Sequence, residues 1–146
     1  MMFVEKTEEQ MQEVPVLRQI SPVALAFVGD TVFDLFLRTR IVLAEKTSPK
    51  QMHLHASQYA KASTQARMAR ALWNTLEEEE QDVLRRGRNA KVHTIPKHAE
   101  VADYKMATGF EALLGMLYLQ KKEDRLWRLL CQGMEEVMED MENGRE

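Results

Sequence analysis

The 146-residue sequence contains one cysteine, Cys131. A single thiol excludes an intramolecular disulfide and every zinc or iron–sulfur arrangement that needs several cysteines, and it fits a reducing compartment such as the cytoplasm. Long apolar runs are missing too. The longest stretch without a charge, Gln19 to Gly29, is 11 residues, against the roughly 18 that a membrane-spanning helix requires. The N-terminus lacks the basic start and apolar core of an export signal and carries Glu5, Glu8, Glu9 and Glu13 instead. No Gly-rich nucleotide loop is present, so a nucleotide cofactor is not expected. Ser57, Ser63 and Cys131 stand in no nucleophile setting, and the four histidines form no metalloprotease pair. His53 and His55, two apart, project from different sides of a helix and make a poor metal pair. No segment alternates apolar and polar residues long enough for a strand.

What is present is an ordinary folded composition, 45% hydrophobic and 29% charged, at a length that suits one compact domain. The expected division is an N-terminal extension over 1–20 and a single all-α domain over 21–146. Ser21-Pro22 supplies an N-cap and a first-turn proline for a long central helix from Val23 to about Ala44. Ser48-Pro49 opens a second helix to about Tyr59, with Met52 and Leu54 as inward candidates. A third segment carries Ala66, Met68, Ala69, Leu72 and Trp73. Thr75 and Glu78 have the spacing of a capping box for a helix ending in Arg85-Arg86-Gly87. After a loop to about His98, a helix from about Glu100 to Gln120 carries Met106, Phe110, Leu113, Leu114, Leu117 and Tyr118 on its apolar face. The last helix runs from about Glu123 to Met141.

Charge is uneven although the net value is only −3. Seven basic residues face one acid, Glu45, between Leu35 and Arg70, and five more with no acid lie between Val83 and Ala99. A basic face on a mildly acidic protein points to a polyanionic partner; solvated helix faces are the alternative reading.

Two acids break the apolar pattern. Asp30 follows Val23 to Gly29 and precedes Val32-Phe33, and Glu111 sits within Ala107 to Gly115. A carboxylate on an apolar helix is either neutralised by a raised pKa or paired with a cation. If the two helices cross near Gly29 and Gly115, Asp30 and Glu111 meet and can hold Mg²⁺ through oxygen ligands, with waters filling the shell. Structural acids bonded to Arg or backbone amides remain the alternative.

These segments carry a resemblance. Leu25-Ala26-Phe27-Val28-Gly29-Asp30-Thr31-Val32-Phe33 resembles the ribonuclease III signature helix, and Phe110-Glu111-Ala112-Leu113-Leu114-Gly115-Met116-Leu117-Tyr118-Leu119 resembles its second metal-binding helix. With Arg85-Arg86-Gly87-Arg88-Asn89-Ala90-Lys91 between them, the chain is similar to Mini-ribonuclease III, the short form of the family with the catalytic domain alone. The likeness spans roughly Ser21 to Leu130. It implies an all-α homodimeric endonuclease that cuts double-stranded RNA with Mg²⁺, acting on large-subunit ribosomal RNA precursor in the cytoplasm without a separate double-stranded-RNA-binding domain. Asp30 and Glu111 match the family's metal and catalytic positions. The full ribonuclease III pattern has two further carboxylates, where this chain has Ala26 and Thr108.

The resemblance leaves Asp34, Glu100, Asp103 and Thr108 as candidates to support the site, although Asp103 lies about 80° round an ideal helix from Glu111. It also implies RNA contacts by Arg85, Arg86, Arg88, Asn89, Lys91 and Lys97, since duplex RNA is read mainly through phosphates, 2′-hydroxyls and shape. Helix-dipole stabilisation is the other reading of Arg85 and Arg86. Phe33, Phe36 and Leu37 are candidates for a dimer contact or for simple core packing. An alternative function on the same fold is a non-catalytic double-stranded-RNA-binding factor in ribosome assembly, with hydrolysis lost through Ala26 and Thr108.

Overall fold

A computed structural model of the chain describes residues 17–44, 48–91 and 94–142, together with Thr7 and Gly144. Most of the 1–20 extension therefore lies outside the described residues. Among the described residues from Pro22 on, six α-helices follow in order: α1 Pro22–Ala44, α2 Pro49–Tyr59, α3 Ala62–Leu72, α4 Glu78–Arg88, α5 Val101–Leu119 and α6 Glu123–Glu142. The described residues contain no strand, and none of their helices is long and apolar enough to cross a membrane.

Local chemistry sets most helix starts. Ser21 Oγ accepts from the Ala24 amide at 3.1 Å, and Ser48 Oγ accepts from the Gln51 amide at 3.3 Å while Gln51 accepts in return from the Ser48 amide. The capping box expected at Thr75 and Glu78 forms two residues later. Leu76 is drawn into the core at 7% exposure, so the chain turns there through a 3₁₀ segment, Trp73–Thr75. The Thr75 hydroxyl donates to the Leu72 carbonyl instead, and Glu77 and Glu80 make the reciprocal cap of α4. The end of α4 also differs from the sequence expectation. Gly87 lies inside the helix, at a close approach to α5 where a side chain would strike Gly109; the helix runs on to Arg88, with Asn89 as its C-cap.

α5 is the buried centre. Phe110, Leu113, Leu114 and Leu117 are fully enclosed, and α1, α3, α4 and α6 all pack on this helix. On α1 the stripe Leu25, Gly29, Val32, Phe33, Phe36, Leu37 and Ile41 is buried. Phe33, Phe36 and Leu37 are therefore core residues of the single chain and not a dimer contact, and the Phe36 ring lies 5.6 Å from that of Trp127. Met52 packs against the core, whereas Leu54 is exposed on the far side of α2 and Tyr118 is exposed on α5.

One buried charge ties α4 to α6. Glu80 is 4% exposed and receives two hydrogen bonds from Arg125, at 2.7 and 2.9 Å, while the same guanidinium donates to the Thr75 carbonyl. Burial opposes the ionised form, yet the Arg125 and Glu77 hydrogen bonds hold the Glu80 carboxyl below its usual range. Arg125→Met strands that carboxylate. A loss of about 2–4 kcal/mol is expected in urea denaturation at neutral pH, somewhat under a fully buried pair because the guanidinium is partly solvated. The difference from wild type should be complete where both proteins carry the carboxylate ionised, and shrink as pH falls from the variant's pKa, which burial without Arg125 leaves higher, to the lowered one of the wild type.

Candidate active site

Asp30 and Glu111 meet because two helices come into backbone contact. A Cβ on Gly29 would collide with the Glu111 carbonyl, and one on Gly115 would collide with the Leu25 carbonyl. With no side chain at either glycine, α1 and α5 close to backbone distance. The residues beside those glycines are thereby carried to a common edge.

Here Asp30 and Glu111 line one open cavity of about 400 Å³, with Ala26, Phe27, Gln65, Tyr104 and Thr108 among the other walls. Asp30 is exposed at the mouth, and Glu111 is partly buried. Burial first, then the Asp30 hydrogen bond and negative charge, push the Glu111 carboxyl from 4.5 up to about 8; a hydrogen bond from Gln65 opposes the rise. Two carboxyls sharing a site in this way are short of positive charge, and one keeps its proton until a cation arrives.

The donor set suits a hard divalent cation. Oxygen ligands from two carboxylates, at the edge of an open cavity that admits water, match the habit of Mg²⁺ of keeping several waters. Among the described residues no group of three or more His, Cys, Asp and Glu side chains could hold a metal.

The linked proton makes stability depend on pH. Between about 4.5 and about 8 the folded state holds a Glu111 proton that the unfolded chain has released. Without divalent cations, the free energy of unfolding should therefore decline as pH rises through that window and level off above it. Urea titrations across it check the slope, and Glu111→Gln, neutral throughout, is expected to flatten it.

The structure places the other sequence-predicted residues less centrally. Asp34 pairs with its own-helix neighbour Arg38 at 3.0 Å, and Asp103 pairs with Arg70 at 2.9 Å. Glu100 is the N-cap residue of α5. Thr108 does line the cavity, but its hydroxyl donates to the Tyr104 carbonyl one turn back. Gln65 on α3 was missed. It has 4% exposure and stands in register with Met68, Ala69 and Leu72, so its signal is a polar residue in an apolar stripe.

The cations divide between two surfaces. Arg88 and Asn89 open onto a groove shared with Arg70 and Lys105, with Arg88 Nε donating to Asn89 Oδ1 at 3.3 Å. Arg85 lies over the Trp73 ring, 5.5 Å from its centroid, and Arg86 pairs with Asp82 at 3.2 Å. Both also line a groove shared with Glu77, Glu78 and Glu79, a setting less suited to phosphate. Lys91 and Lys97 are exposed between α4 and α5.

Comparison with known proteins places the chain among relatives. Residues 23–122 match the Ribonuclease III domain family. A Mini-ribonuclease 3 of Thermoanaerobacter sp. (strain X514) is 46% identical over 129 residues, spanning 88% of this chain and 89% of that protein. A Mini-ribonuclease 3 of Staphylococcus aureus (strain NCTC 8325 / PS 47) is 42% identical, spanning 78% of this chain and 87% of that protein. A crystal structure of a Fusobacterium nucleatum protein superposes with a TM-score of 0.73 at 29% identity, covering 81% of this chain and 94% of that one.

Proposed function

The chain belongs to the Mini-ribonuclease 3 family, endoribonucleases of the ribonuclease III type that act on double-stranded RNA, and on that premise we propose that Asp30 and Glu111 hold Mg²⁺ for hydrolysis of duplex RNA. The observation that carries this reading is the convergence of these two carboxyls, from different helices, in one solvent-open cavity. Bound there, Mg²⁺ would supply a lowered pKa for the attacking water and positive charge opposite the developing phosphate charge. Glu111 releases its proton to solvent when it becomes a ligand. Asp30, the exposed member of the pair, is open to an approaching phosphodiester. Arg88, Asn89, Lys91 and Lys97 contact backbone phosphates. Arg70 and Lys105, on the Arg88 groove, add to that surface.

The family is typically dimeric, and the exposed face of α1 supports a homodimer. Phe27 is 83% exposed and Val23 50%, both on the wall of the Asp30 cavity. A phenylalanine left in water beside a catalytic carboxylate is what an association surface provides. The substrate proposed is large-subunit ribosomal RNA precursor in the cytoplasm.

A labelled RNA duplex incubated with the purified protein, with Mg²⁺ or with EDTA, tests the reading. Cleavage with Mg²⁺ and none with EDTA is expected. Intact duplex under both conditions, with binding retained, would favour the non-catalytic factor to which Ala26 and Thr108 also point. Sedimentation of wild type and Phe27→Asp tests the dimer, with the variant expected to run as a monomer.

A further inference from the structure

We infer that Gln65 is a positioning residue for the metal site, its carboxamide donating to the Glu111 carboxylate and holding that side chain toward Asp30. The inference rests on the metal-site reading above. Gln65, Thr64 and Glu80 are the buried polar or charged residues among those described. Glu80 has its partner in Arg125. Gln65 instead lies on the wall of the Asp30–Glu111 cavity, near enough to Glu111 to oppose the rise of its pKa.

Burying an amide in an apolar stripe is unfavourable unless its hydrogen bonds are met. The same wall carries the Glu111 carboxyl, an acceptor for that amide. α3 also packs along α5, so the amide is fixed on a rigid element facing a rigid element. Ala26 and Thr108 leave this site without the two further carboxylates of the ribonuclease III pattern. Thr108 turns its hydroxyl proton back to the Tyr104 carbonyl, so it does not donate to Glu111. The orientation of Glu111 therefore depends on a neutral donor from a third helix. Partners that orient a metal ligand in this way typically contribute about 10–100-fold to metal affinity.

The test uses full-length Gln65→Met, which keeps the length of the side chain and removes its hydrogen bonds, and Gln65→Asn, which keeps the amide but shortens its reach. Mn²⁺ binding followed by electron paramagnetic resonance without RNA, the Mg²⁺ concentration giving half-maximal cleavage, and duplex binding in EDTA are measured. Both variants are expected to weaken Mn²⁺ binding and raise the half-maximal Mg²⁺ concentration by about tenfold or more, with duplex binding in EDTA unchanged. Should the Met variant fail to fold, the Asn variant is read alone. Wild-type Mn²⁺ affinity in either folded variant overturns the inference. Wild-type protein that binds no Mn²⁺, or binds it as well after Asp30→Asn, overturns the metal-site reading beneath it.

Discussion

Asp30→Asn and Glu111→Gln are each expected to lower duplex cleavage by on the order of 10³-fold or more, the scale seen when one member of a cooperating catalytic unit is removed. Neither substitution should unfold the protein. Asp30 is exposed at the cavity mouth, and its amide replacement keeps the shape while giving up a charge. Glu111→Gln goes further. Because burial and the Asp30 charge already hold Glu111 against ionisation up to about pH 8, a permanently neutral side chain removes a cost that the metal-free protein carries above that pH. This variant should therefore be at least as stable as wild type at alkaline pH and nearly inactive. Single-turnover cleavage, thermal unfolding in EDTA and gel-shift binding separate the three properties. Wild-type cleavage by either purified variant would remove the catalytic assignment.

Gly29→Ala or Gly115→Ala should have the largest effect on folding. The added methyl would meet main-chain atoms, the Glu111 carbonyl in one case and the Leu25 carbonyl in the other. A flexible side chain can move aside; a helix backbone cannot without shifting the whole packed interface. Overpacking a core usually costs about 1–3 kcal/mol, and collision with backbone belongs at or beyond the top of that range. For a chain of this size that corresponds to a fall in melting temperature of roughly 10 °C or more. Gly29→Ala should also impair cleavage in whatever folded fraction remains, because the methyl pushes directly on the residue that carries the Glu111 carboxyl. Circular dichroism melts with cleavage assays on the folded fraction check both parts. A melting temperature within a degree or two of wild type would mean that α1 and α5 do not pack this closely.

Near-neighbour physics was legible in the sequence. The repeat of apolar residues along α1, the Ser21 and Ser48 caps, and the two acids in apolar helices all depend on residues within a turn or two of each other. The all-α class, most helix limits and the two acids as candidates could accordingly be read directly. The errors arose where a distant partner intervened. Thr75 lost its capping role where Leu76 is drawn into the core, and Gly87, read as the start of a loop, is a helical contact with α5.

The sequence by itself determined where the candidate groups lie: two carboxyls at helical positions that apolar residues should occupy, two glycines that let their helices touch, and a basic segment between them. Only the tertiary structure decided their company. It brought Gln65 from α3 to Glu111, sent Asp34 to Arg38 and Asp103 to Arg70, buried Phe33 and Phe36 and left Phe27 in water. Composition and periodicity fix what a helix face can do, but which neighbour each face meets depends on long-range packing, and a pKa near 8 exists only where burial and a second carboxyl act on Glu111 together.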